Sequence, residues 1–130
     1  MSIWILLIAA LSAFVLGGLW YGPLFGKAWR KANGVPEGYQ SGHPARVFGV
    51  SFIFAFIAAA GYLHFVGFSD DILASALHGA AVGALIAGTS FGINYQFSGK
   101  PFGLLLIDGG YHTVQFAIYG ALYAGLHEIL

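Results

Sequence analysis

The stretch IWILLIAALSAFVLGGLWY, residues 3–21, carries no charged side chain, and its length suits one crossing of a bilayer. A helix rising 1.5 Å per residue needs about 20 predominantly apolar residues to span the hydrocarbon. A strand is disfavoured, because the run is rich in Ala and Leu and lacks period-two alternation. Working outward, three more such runs extend from about Val47 to Val66, from about Ile72 to Tyr95 and from about Phe102 to Leu126. Each is longer than the roughly 10–14 residues of a buried soluble helix. The expected fold is therefore all-α: an integral-membrane four-helix bundle forming a single domain over residues 1–130, with a short interfacial helix at about 23–32.

Composition points the same way. The chain is 58% hydrophobic and 8% charged, where an ordinary soluble domain carries about 25% charged residues. So few charges would leave large apolar patches facing water, which excludes a soluble enzyme. Disorder is excluded by the high hydrophobicity. Five Lys/Arg balance five Asp/Glu, so no basic surface exists to hold nucleic acid. The absence of cysteine removes disulfides, thiolate metal sites and a Cys nucleophile.

The boundaries carry their own chemistry. Pro23 fits the first turn of a short helix through Ala32, with Asn33-Gly34 as a left-handed stop. Ser69, Asp70 and Asp71 make a good N-terminus for the third span. Ser98-Gly99-Lys100-Pro101 breaks the chain before the fourth. The first loop holds Lys27, Arg30, Lys31 and Arg46 against Glu37, the second holds Asp70 and Asp71, and the third holds Lys100. By the positive-inside rule the first and third loops are cytoplasmic and both termini face outward. The first span lacks a basic leader and reads as an uncleaved anchor. Trp20, Tyr21, Phe25 and Trp29 are expected to anchor the cytoplasmic interface, with Phe25 and Trp29 forming one apolar edge of the short helix.

Inside lipid the hydrophobic effect cannot join helices, so small residues must allow close contact. Gly79-x-x-x-Gly83 followed by Gly88-x-x-x-Gly92 provides such a row in the third span, and Ala9, Ala13 and Gly17 provide one in the first. Gly120 and Ala124 add a third. These rows serve either internal contact or homodimerisation.

The fourth span places Asp108, His112, Gln115 and Tyr119 on one helical face. A carboxyl at membrane depth is costly and should face the bundle or a wet cavity. Depth counting matches Ser51, Ser90 and Asn94 to Asp108, predicting a polar cluster closed by Arg46. The same counting brings His78 towards His112 across the third and fourth helices. Three uses compete for these residues. They are interhelical hydrogen bonding, a proton or solute pathway through Asp108 and His112, and haem or metal ligation by His78 and His112. Towards the outer edge, His64, Asp70, Asp71, His127 and Glu128 match no ligand spacing. No phosphate-binding loop or H-E-x-x-H is present, and the scattered glycines lack the strand-turn-helix setting of a nucleophile elbow; no enzyme activity or resident cofactor is expected.

Three segments carry a family resemblance. They are Trp20-Tyr21-Gly22-Pro23-Leu24-Phe25-Gly26-Lys27-Ala28-Trp29, then His78-Gly79 with Gly83, and Ile107-Asp108-Gly109-Gly110-Tyr111-His112. Together they resemble the bacterial membrane family known as domain of unknown function 1761, over essentially the whole chain. The resemblance implies a small four-span protein of a bacterial inner membrane, and it marks Trp20, Tyr21, Pro23, Phe25, Gly26, Trp29, Asp108, Gly110 and Tyr111 as motif positions. It implies no activity, substrate or cofactor. The expected role is that of a non-enzymatic structural or accessory subunit or a homo-oligomer in the lipid bilayer. A small-solute or proton-coupled transporter and a haem- or metal-binding subunit are the alternatives.

Overall fold

The computed structural model describes residues 2–130 as five helices and, among those residues, no strand. They are α1 (Ile3–Leu24), α2 (Gly26–Asn33), α3 (Pro44–Val66), α4 (Ile72–Ser98) and α5 (Phe102–Leu126). Helices α1, α3 and α4 are long and apolar enough to cross a membrane. Helix α5 is as long, but Asp108, Tyr111, His112 and Gln115 dilute its apolar character. It is also the most enclosed helix, burying Leu104, Asp108, Gln115, Tyr119, Gly120, Tyr123 and Ala124. The two properties belong together, since a helix enclosed by its neighbours does not have to be apolar on every face.

Helix α5 runs antiparallel to α1 and α4 and parallel to α3. The Ser2 amide donates to the Leu130 carbonyl at 3.2 Å, so the two ends of the described chain meet at one end of the bundle. Helix α2 and the 99–101 turn lie at the other. Near the termini the interior is solid: Ile5, Ala9, Ala10, Ala55, Ala59, Tyr62, Tyr119 and Tyr123 form a continuous buried cluster. Two tyrosines tie α5 to α3 there, with Tyr119 Oη donating to the Ala55 carbonyl at 3.1 Å and Tyr123 Oη to the Ala59 carbonyl at 2.6 Å.

The rows of small residues are consumed inside the fold. A β-carbon on Gly79 would fall onto the Phe116 carbonyl, one on Gly83 onto the His112 carbonyl, and one on Gly120 onto the Ser75 carbonyl. The backbones of α4 and α5 therefore touch directly, which is the close approach that small residues permit. Ala9 and Ala13 are likewise buried. The glycine spacing along α4 is four, five and four residues, and the five-residue step coincides with a π-turn over Gly83–Gly88. A regular helix would rotate Gly88 off the contact face; the wider turn absorbs the extra residue. Gly88 and Gly92 thus still meet Gly109 and Leu105.

The helix ends follow their local chemistry. Asp71 caps α4 by accepting from the Ala74 amide at 3.0 Å. We expect Asp71→Ala to cost about 1 kcal/mol, read as a lower unfolding temperature in detergent. Gly34 and Gly99 stop α2 and α4 with φ of 67° and 69°, a region that favours glycine. Pro44 opens α3 in its first turn, and His43 Nδ1 accepts from the Ala45 amide at 3.2 Å. Pro23 does not start the short helix. It ends α1 inside a second π-turn, Trp20–Leu24, closed by the Phe25 amide on the Trp20 carbonyl at 2.8 Å. Proline has no N–H to give to a regular turn, and the widened turn accommodates this. Helix α2 accordingly begins at Gly26, after Phe25.

Candidate functional site

Asp108 is buried at 9% exposure, one face of α5 turned towards α1 and the end of α4. Two phenols close on it: Tyr21 Oη donates to Oδ1 at 2.6 Å, and Tyr95 Oη donates to Oδ2 at 2.5 Å. One carboxylate thus joins α1, α4 and α5. Beside this clasp, Trp20 Nε1 donates to the Ile107 carbonyl at 2.9 Å. The Trp20 ring covers Gly110, where a β-carbon would come within 2.9 Å of it. Trp20 packs on Phe25 at 4.7 Å between ring centres, and Tyr21 meets Trp29 edge-on at 6.3 Å. The residues expected to be interfacial anchors therefore form a bracket around α5, with Trp20 and Tyr21 turned into the protein.

Further along the same face, His112, Gln115 and Tyr119 form a relay. Gln115 Oε1 lies 2.6 Å from His112 Nδ1, and Gln115 Nε2 donates to Tyr119 Oη at 3.0 Å. The imidazole stacks on Phe91 at 5.1 Å with planes 13° apart. Tyr111 Oη donates to the Ala13 carbonyl at 2.8 Å, pinning α5 to α1.

Below the solid terminal half, these side chains line a chamber of about 760 Å³ between α1, α3, α4 and α5. Phe14, Phe48, Phe54, Phe91 and Phe116 supply its aromatic wall, and His112, Gln115 and Ser51 supply polar atoms. A second cavity of about 540 Å³ lies towards α2, bordered by Arg30, Tyr39, Trp29 and Asp108. Tyr21, Val47 and Ser51 line both cavities and form the neck between them. The result is a half-open apolar chamber adjoining a smaller cavity bordered by Arg30.

The expected cluster of Ser51, Ser90, Asn94 and Arg46 around Asp108 does not form. Ser90 Oγ donates to the Ile86 carbonyl of its own helix at 2.7 Å, satisfying itself at the π-turn. Asn94 is exposed. Arg46 is exposed in the first turn of α3 with its guanidinium beside Gly42, and among the described residues it pairs with no acid. Only Ser51 comes near, at the neck. His78 does not face His112: it is exposed on α4, because its neighbour Gly79 is the residue turned towards α5. Among the described residues no three His, Asp or Glu side chains converge as a metal site would require. At the terminal end His127 Nε2 lies 3.2 Å from Asp70 and 3.9 Å from Glu128, tying the 67–71 connection to the end of α5, while His64 is exposed.

The partners missed from sequence are Tyr21 and Tyr95. Both are the last residues of their apolar runs, and a tyrosine at such an end reads first as an interfacial anchor.

A family model described as "Protein of unknown function (DUF1761)" matches residues 4–124, nearly the entire chain. The chain belongs to the DUF1761 family. The first and last of the segments that carry the DUF1761 resemblance meet at one place in the fold. Trp20 lies over Gly110, Tyr21 bonds Asp108, Tyr111 reaches Ala13, and Gly26 sits under the Tyr21 carbonyl. No curated protein and no solved structure matches the chain.

Proposed function

We propose that this DUF1761 protein is a non-enzymatic, four-span membrane protein that holds a membrane-soluble molecule in the chamber between α1, α3, α4 and α5. The chamber itself carries the reading. Its volume, about 760 Å³, falls in the range of small-molecule sites, roughly 300–1,000 Å³. Its wall is aromatic and aliphatic with a few placed polar groups, the usual composition of such sites. In this reading α5 is the fourth span of a bundle in a bacterial inner membrane. Large apolar side chains exposed on α1, α3 and α4, among them Val15, Ile53 and Leu85, meet lipid. The basic residues around α2 put that end on the cytoplasmic side and both termini outside.

The protein acts alone or as an accessory subunit of a larger membrane assembly. Since the glycine rows face inward, they supply no surface for a second copy. Transport through Asp108 and His112 draws some support from the neck between the two cavities. It also requires the buried tyrosine seal near the termini to part.

Mass spectrometry of extracts from protein purified in mild detergent tests the role. We expect a lipid-like molecule in the wild type and its loss in Ala58→Phe/Ala87→Phe, which fills the chamber from α3 and α4. Ligand returned at about a hundred times its Kd should add about 2.7 kcal/mol to wild-type stability and nothing to the variant. Equal amounts of bound molecule in the two proteins would refute the reading.

A further inference from the structure

The hydrogen-bonding sense of one ring nitrogen in the chamber is set from outside it. The relay begins at the Ala55 carbonyl, which can only accept, so Tyr119 gives its proton there at 3.1 Å. The Tyr119 oxygen then receives from Gln115 Nε2 at 3.0 Å. That turns Gln115 Oε1 to His112 Nδ1 at 2.6 Å. An amide oxygen accepts, so Nδ1 carries the imidazole proton. In the neutral ring, Nε2 is left as an acceptor alone.

This Nε2 has no hydrogen-bond partner among the described residues, yet it is not sealed away. Among the described residues the fully enclosed polar side-chain atoms without a partner are the Ser2 and Tyr62 hydroxyls, whereas His112 lines the chamber. Its ring cannot readily turn to find another partner, being stacked on Phe91 and met edge-on by Tyr111 at 5.0 Å. A fixed acceptor in an apolar, aromatic-walled space is complementary to a donor on an apolar body. A ligand without a donor would strand the nitrogen on desolvating it.

We infer that the chamber selects a membrane-soluble molecule bearing a phenolic hydroxyl, of the quinol type, which donates to His112 Nε2. Ring packing against Phe14, Phe91 and Phe116 suits an aromatic head, and the phenolic proton suits the acceptor. The inference rests on the ligand-holding role proposed above and names the chemistry of its ligand. Gln115 and Tyr119 are positioning residues here, acting through the ring.

Titration of the full-length protein in detergent with para-decylphenol and with its methyl ether separates the two ideas. The molecules share body and tail and differ in the donor. We expect the phenol to bind about tenfold more tightly, the worth of one hydrogen bond. In His112→Phe the preference should vanish while the ether still binds. In Tyr119→Phe, where Gln115 is free to turn, the preference should shrink with both molecules bound. Equal affinity of the wild type for phenol and ether overturns the hydroxyl inference and leaves the chamber's holding role intact. Failure of both probes to bind overturns both.

Discussion

Replacing Gly79 and Gly83 together by alanine will force α4 off α5 and leave little folded protein. Each new β-carbon lands on a backbone carbonyl of α5, that of Phe116 for position 79 and that of His112 for position 83. Backbone cannot swing aside as a side-chain tip can, so the helices must separate. Overpacking typically costs about 1–3 kcal/mol per site, and the separation also forfeits close contact along the rest of the seam. Against a total stability of about 5–15 kcal/mol, the double change consumes much of the margin. Gly49→Ala/Gly61→Ala is the control, since a β-carbon at either position meets nothing within 4 Å. Thermal unfolding in mild detergent should show the control at or above the wild type and the seam variant far below. Equal midpoints would mean that the seam does not hold the bundle.

Loss of the Asp108 carboxylate comes next in size. In Asp108→Ala the Tyr21 and Tyr95 hydroxyls lose their common acceptor, and α1, α4 and α5 lose the group that joins them at the α2 end. Hydrogen bonds to a charged group are worth about 1.5–3 kcal/mol in soluble proteins, and interhelical bonds within membranes average about 0.6. We expect a net loss of about 2 kcal/mol, between those scales. Asp108→Asn keeps one acceptor oxygen and a donor, so its loss should be about half as large. Tyr21→Phe and Tyr95→Phe should each be milder still, and the double change less than additive, because both phenols serve one partner. Hydrogen exchange should rise around α2 and residues 95–98 and stay unchanged near Tyr123. Full stability in Asp108→Ala would remove the clasp from the account of the fold.

How much of this was legible differs by element. The all-helical class followed from runs such as residues 3–21, and the stops at Gly34 and Gly99 followed from backbone freedom. The shared face of Asp108, His112, Gln115 and Tyr119 was visible because helical periodicity is one-dimensional and local. Partner choice across helices was not, since depth counting fixes height and leaves rotation open. His78 lies on the wrong face and about one turn from the level of His112, which Gly83 occupies. Ser90 was matched correctly by height, but its hydroxyl found the Ile86 carbonyl of its own helix at 2.7 Å. Side chains that can satisfy themselves locally give no signal of doing so. The chamber was invisible for another reason: a void is a property of several helices that no single residue announces.

The π-turn in α4 bears on how relatives are compared. Up to its first residue, Gly79 and Gly83 fix the distance to α5; downstream, Phe91 and Tyr95 are aimed at His112 and Asp108. One additional residue in the turn sets the angular phase between these halves. For a relative with one residue fewer in this turn, a gapless match through Gly83–Gly88 would pair residues whose facing differs by about 100°. Scoring the two halves separately, each in its own phase, is the comparison that matches side chains pointing the same way.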